Sequence, residues 1–138
     1  MVLNKSKARD SVRFRKTRSA HQTELAEDYV ETILDIIQSG YVARLTDVAQ
    51  YMGVAHPTAS KTLKKLARDG LVKILPYKGI ILTSDGLKLA KSCQNRHKIV
   101  LNFLLNLGLD LQTAQTDAEG IEHHVSPKTL KAMSKFKG

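Results

Sequence analysis

The chain has 138 residues, a formal charge of +9, 42% hydrophobic residues and a single cysteine. That is enough apolar material for one ordinary core or two small ones sharing a chain, which argues against wholesale disorder. One cysteine excludes an internal disulfide, and no apolar run approaches the roughly 20 residues that cross a bilayer, so a reducing, cytoplasmic setting without a membrane partner is expected.

The basic N-terminus is followed by no apolar segment, so it does not read as a secretory signal. The positive charge is unevenly placed. Residues 1–20 hold seven Lys/Arg against Asp10, and residues 56–78 hold six against Asp69. With those two stretches set aside the rest is slightly acidic. Two basic patches on an acidic body point to a polyanion partner.

Residues 1–18 lack a periodic apolar face and read as a flexible basic arm, either inert or adding phosphate contacts. A first helix is expected from about Ala20 to Ser39, with Ser19 and Gln22 as a capping box and Gly40 as its stop. Its core stripe reads Ala26, Tyr29, Val30, Ile33 and Ile37. Asp28, Glu31 and Asp35 are placed on the opposite face, where three carboxylates repel unless water or a cation intervenes.

Thr46 is expected to cap a short helix that Gly53 ends, and Pro57 to open the next, which runs to about Asp69. The second helix is basic, and the tight Gly-containing turn between the two makes a helix-turn-helix. Leu71–Leu75 and Gly79–Leu82, joined by Pro76-Tyr77-Lys78, read as a β-hairpin with a basic, aromatic tip: a wing. Thr83 should cap a long helix from Ser84 to about Leu107, with Ala90, Cys93, His97, Val100/Leu101 and Leu104 as its stripe. A further helix is expected over Leu111 to His124, and Ser126-Pro127 should open a last short one with Leu130 and Met133 on one side.

In the DNA-binding reading, His56, Thr58 and Ser60 stand at the start of the recognition helix beside Pro57, within reach of base edges. Lys61, Lys64, Lys65 and Arg68 neutralise phosphates, and Tyr77 and Lys78 touch backbone or minor groove. The bland alternative is a solvated helix in a protein-interaction winged helix.

A second chemistry is written further on. Glu119, Glu122 and His123 fall at i, i+3 and i+4, one face of a helix, and Asp28 and Glu31 repeat the i, i+3 spacing elsewhere. Two carboxylates and an imidazole on one face suit a divalent cation, although a solvated acidic face has the same spacing. His97 lies in an apolar stripe, where a buried, hydrogen-bonded histidine is the commoner outcome. As a ligand it needs carboxylates brought from other helices. Cys93, one turn earlier, reads as a small buried hydrophobe.

These residues carry a resemblance. Glu27-Asp28-Tyr29-Val30-Glu31, His56-Pro57-Thr58, Gly79–Ser84, Asn95-Arg96-His97 and Asp117–His124 together resemble the diphtheria-toxin-repressor superfamily of metal-dependent regulators, most closely its manganese transport regulator branch. The resemblance spans about Asp28 to Leu130. It implies metal ligands at Asp28, Glu31, His97, Glu119, Glu122 and His123. In the iron-responsive branch a methionine and a cysteine stand where this chain has Asp28 and Glu122, and an SH3-like domain follows that the manganese relatives lack. Oxygen and imidazole donors without sulfur suit Mn²⁺ or Fe²⁺, and four carboxylates with two imidazoles carry charge enough for two ions per subunit.

The expected fold class is mostly α with a small β-hairpin: a winged helix-turn-helix over residues 19–83, then a helical dimerisation and metal-binding unit over residues 84–138. The expected function is a manganese-responsive transcriptional regulator, a repressor that binds double-stranded operator DNA as a homodimer. It has no small organic substrate and no enzymatic activity. An iron- or zinc-responsive regulator of the same fold, a dinuclear metal hydrolase and a metal-independent winged-helix regulator are the rivals.

Overall fold

The computed structural model describes residues 21–138. The expected basic arm over residues 1–18 and the Ser19 cap lie outside the described residues. The first helix, α1, covers residues 21–38, and Gly40 at φ 89° ends it. Then come α2 (Leu45–Met52), α3 (His56–Arg68), β1 (Val72–Leu75), β2 (Gly79–Leu82), α4 (Ser84–Asn106), α5 (Leu111–Ile121) and α6 (Pro127–Lys135).

The core face of α1 differs from the expected stripe. Tyr29, Val30 and Ile33 are buried as expected, but Leu34 and Ile36 complete the face and Ile37 is 38% exposed. Asp28 and Glu31 do not face open solvent. They are half-buried, because α1 is covered on that side too.

Local chemistry sets most of the boundaries. The residue capping α2 is Arg44, not Thr46: its N–H donates to the Asp47 carboxylate at 3.1 Å, three residues on. α3 starts at His56, one residue earlier than expected, so Pro57 takes the second position, where its missing N–H also costs no bond. Thr83 caps α4 as expected, accepting from Gly86 N–H at 3.0 Å and donating to the Gly70 carbonyl at 2.6 Å.

β1 and β2 pair antiparallel, Val72 opposite Leu82 and Leu75 opposite Gly79. Ala43 adds a bridge to Ile80, whose N–H donates to the Ala43 carbonyl at 2.7 Å. Gly79 permits that approach. A Cβ there would sit 2.7 Å from the Ala43 carbonyl oxygen, and its φ is 90°. Gly86 does the same where α4 leaves the hairpin, since a Cβ would lie 1.9 Å from the Leu71 carbonyl oxygen.

Among the described residues, two apolar cores result. The first joins Tyr29, Val30, Ile33 and Leu34 of α1 with Val48, Leu63, Leu66, Val72, Ile80 and Ala90. The second joins Val100 and Leu104 to Ala114 and Ala118, with Leu130 and Met133 of α6 against them. α4, roughly 35 Å long at 1.5 Å per residue, contributes to both. The middle of α4 lies between the cores, and there its side chains turn polar.

Candidate metal centre and nucleic-acid interface

That middle turn carries Cys93, Arg96 and His97. It meets two other pieces of chain: Glu27, Asp28 and Glu31 on α1, and Glu122 and His123 at the end of α5. α5 stops at Ile121, short of the expected His124. Glu122 caps it with helical angles (φ −58°, ψ −28°). The His124 N–H then turns back to the Ile121 carbonyl at 3.0 Å. Ser126, extended at ψ 156°, then caps α6, which Pro127 opens. Inside this turn the His123 side chain swings inward until 2% of it is exposed.

Four of the six candidate ligands, Asp28, His97, Glu122 and His123, are linked by direct contacts, and Glu31 and Glu119 line the cleft beside them. His123 Nε2 lies 2.9 Å from Asp28 Oδ1 and 3.5 Å from Glu122 Oε1. His97 Nδ1 lies 2.8 Å from Glu122 Oε2, so it is not a core histidine but a partner of the buried carboxylate. Glu31 and Glu119 line the same cleft of about 610 Å³, with Glu24, Asp28, Asp35 and Glu122. Glu24, Asp28 and His123 can each aim one ligand atom so that all three lie within 4.8 Å of one another.

The cleft is short of positive charge. Glu31 Oε2 is buried with no hydrogen-bond partner, a costly state for a carboxylate oxygen. Burial, aided by Asp35 and Asp28, pushes the Glu31 carboxyl up to about 7. Burial, aided by the charges of Glu31, Asp28 and Glu119, pushes Glu122 up to about 8. Asp28 is also raised, burial outweighing the attraction of His123. Carboxyl groups that hold protons near neutrality, around an oxygen with no donor, fit a divalent cation chelated by oxygen and imidazole. Cys93 does not join them. Burial pushes its thiol up to about 12, and its Sγ sits 3.4 Å from Glu27 Oε2, so it stays a protonated donor.

Two residues of this region, Glu27 and Glu24, are not among the candidate ligands expected from the sequence. Glu27 is buried and takes Arg96, Cys93 and His123 on one oxygen. Glu24, four residues before Asp28 and so on its face of α1, pairs with His124 at 3.2 Å. Spacing could have pointed to Glu24. Nothing local distinguishes Glu27 from a surface glutamate, because what buries it is another helix.

The second candidate surface lies at the far end of the first core. His56, Pro57, Thr58, Lys61, Lys64 and Lys65 are exposed along α3, and Ser60 is half-buried. Ser60 and Lys64 share a cleft with Ile74, Leu75 and Tyr77 of the hairpin and with Arg44, a basic group the sequence reading passed over. At the wing tip the Lys78 N–H donates to the Leu75 carbonyl at 3.2 Å, with Pro76 second in the turn and Tyr77 third at φ 65°. A glycine or asparagine is usual at that third position. Tyr77 is 98% exposed, so packing within the chain does not account for a tyrosine there.

A helix-turn-helix with a wing, joined through one long helix to a helical unit with a chelating cleft at the junction, defines a class: metal-dependent winged-helix regulators of DNA. Residues 21–80 match the family described as iron dependent repressor, N-terminal DNA binding domain, and residues 83–138 match its metal binding and dimerisation domain. The chain belongs to this iron-dependent repressor family.

Among curated proteins it is 50% identical over 123 residues to the transcriptional regulator MntR of Escherichia coli O6:H1, covering 89% of this chain and 79% of that protein. It is 36% identical over 104 residues to the HTH-type transcriptional regulator MntR of Bacillus subtilis (strain 168), covering 75% of this chain and 73% of that one. Among solved structures it resembles the manganese regulator SloR, with a TM-score of 0.72 at 30% identity over 80% of this chain. A manganese-dependent transcriptional repressor in complex with manganese gives a TM-score of 0.65 at 29% identity over 78% of this chain. The chain spans about half the length of those two proteins, 52% and 50%.

Proposed function

We propose that this chain is a manganese-responsive repressor that binds operator DNA as a homodimer, with Asp28, Glu31, His97, Glu119, Glu122 and His123 holding the metal. The observation that carries the reading is the undonated, buried Glu31 Oε2 among carboxyl groups held near neutrality. The donor set contains oxygen and imidazole and no thiolate, which favours Mn²⁺ or Fe²⁺, and its charge suits a pair of ions. Relatives named as manganese regulators favour manganese between these.

A bound divalent ion supplies the positive charge the cleft lacks. The chain's own residues then account for the switch. Asp28 and Glu31 sit on α1, which packs in the core of the DNA-binding unit, while Glu119, Glu122 and His123 end the helix of the other unit. With their mutual repulsion relieved, these side chains hold the two units at one angle. In a two-fold dimer, that angle sets the distance between the two α3 helices, which must be roughly 34 Å to enter successive major grooves. Leu107, Leu111 and Phe136, exposed at 54%, 55% and 40%, leave apolar surface on the C-terminal unit for the second copy. Lys61, Lys64 and Lys65 would contact phosphates, Tyr77 and Lys78 the backbone or minor groove, and His56, Pro57, Thr58 and Ser60 would approach base edges.

Coupling of this kind is reciprocal. Mn²⁺ affinity should rise when a duplex, selected from a random pool in the presence of Mn²⁺, is added. Equal affinities with and without that duplex would refute the proposal. A series of Mn²⁺, Fe²⁺ and Zn²⁺ at fixed salt decides which ion activates.

A further inference from the structure

Glu27 stands next to Asp28 in sequence but outside the candidate ligand set. It is 5% exposed. One of its oxygens, Oε2, collects three partners from the two other pieces of chain that form the centre. Arg96 of α4 bonds to it in an ion pair. Cys93 Sγ, one turn earlier on α4, lies at 3.4 Å. His123 Nδ1, from the turn after α5, lies at 3.2 Å. The opposite edge of the same imidazole, Nε2, faces Asp28 and Glu122.

We infer that Glu27 is a positioning residue for the metal centre: it accepts the Nδ1–H of His123 and so turns Nε2 toward the cleft, where it faces Asp28 and Glu122. A histidine offers its two nitrogens to different partners, and whichever nitrogen is held by a fixed acceptor settles what the other can do. Glu27 is itself fixed. Arg96 and the Cys93 thiol bond to the same oxygen from one face of α4, and α1 carries the carboxylate from within the first core. The ring is enclosed, so no water need compete for Nδ1. Arg96 and its neighbour His97 then act together: Arg96 holds the acceptor of one imidazole, and His97 holds the carboxylate of Glu122 that the same imidazole faces. A structural alternative is that Glu27 does no more than neutralise Arg96.

The role in metal binding rests on the proposed metal centre, but the tautomer can be read without any metal. In ¹H–¹⁵N spectra of the metal-free wild-type protein, His123 should show a slowly exchanging proton on Nδ1. Glu27→Leu should lose that protection. Direct Mn²⁺ titration of folded Glu27→Leu should show binding weaker by about 10–100-fold, the range for loss of an orienting partner. Glu27→Gln, which keeps an oxygen for Nδ1–H, should restore most of it. A merely structural role would lower thermal stability in both variants without this split.

A wild-type His123 protonated on Nε2 alone would overturn the inference, and so would a folded Glu27→Leu with wild-type Mn²⁺ affinity. The wild-type spectrum decides the question even if Glu27→Leu does not fold. Failure of wild-type protein to bind Mn²⁺ would instead count against the metal centre itself.

Discussion

The protonation of the cleft can be counted. At about pH 7, a carboxyl pushed up to about 8 (Glu122) is about nine-tenths protonated, and one pushed up to about 7 (Glu31) is about half protonated. A metal ligand must be deprotonated, so binding of Mn²⁺ should release between about one and two protons from these two groups at that pH. The count should approach about two near pH 5.5 and fall to about 0.1 near pH 9. Calorimetric titration in buffers of different ionisation enthalpy measures it directly.

The same shifts carry a sign for stability. Both groups have folded values above the ordinary carboxylate value. Their contribution is therefore fully present below that value and is lost as pH rises through about 7 and about 8. The metal-free protein should thus lose thermal stability between about pH 5 and about pH 8, and saturating Mn²⁺ should flatten the fall, because the ion binds only the folded cleft. Release of no protons at pH 7, with a flat stability profile, would refute the claim that burial and mutual repulsion hold these carboxyls neutral.

Two predictions concern the DNA surface. Lys64→Ala should weaken binding to all duplexes about equally and reduce the salt slope by about one unit, as for one lost phosphate contact, measured by titration at several salt concentrations. Tyr77→Gly should leave stability within about 1 kcal/mol of wild type, since relief of the positive φ offsets the entropy that glycine adds to the unfolded chain. It should nevertheless weaken duplex binding by about fivefold, about 1 kcal/mol. Urea denaturation and a binding titration test the pair of effects, and unchanged duplex affinity would remove Tyr77 from the interface.

Much of this protein is legible in one dimension because its signals are local. The Thr83 cap, the Ser126-Pro127 start, the Gly40 stop and the Pro76-Tyr77-Lys78 turn each act over a few residues, and each is found where the sequence places it. Two differences have different causes. α2 starts at Leu45, so Thr46 lies inside its first turn and Arg44 takes the cap position, its N–H donating to Asp47. Ile37 fits the helical period of α1, yet the neighbours of that helix cover Ile36 and Leu34 instead. Periodicity says that a face is apolar and leaves its azimuth to whatever packs against it.

The sequence by itself determined the inventory: a basic helix with a wing, an acid- and histidine-bearing segment one helix later, and no sulfur among the oxygen and imidazole donors. Only the tertiary structure decided what those groups are to one another. Glu27 and Asp28 are adjacent in the chain, yet one is buried under Arg96 and the other faces the cleft. His97 and Glu122 lie 25 residues apart and meet at 2.8 Å. The physical reason is that α4 runs through two cores, and the polar layer between them exists only once both have packed.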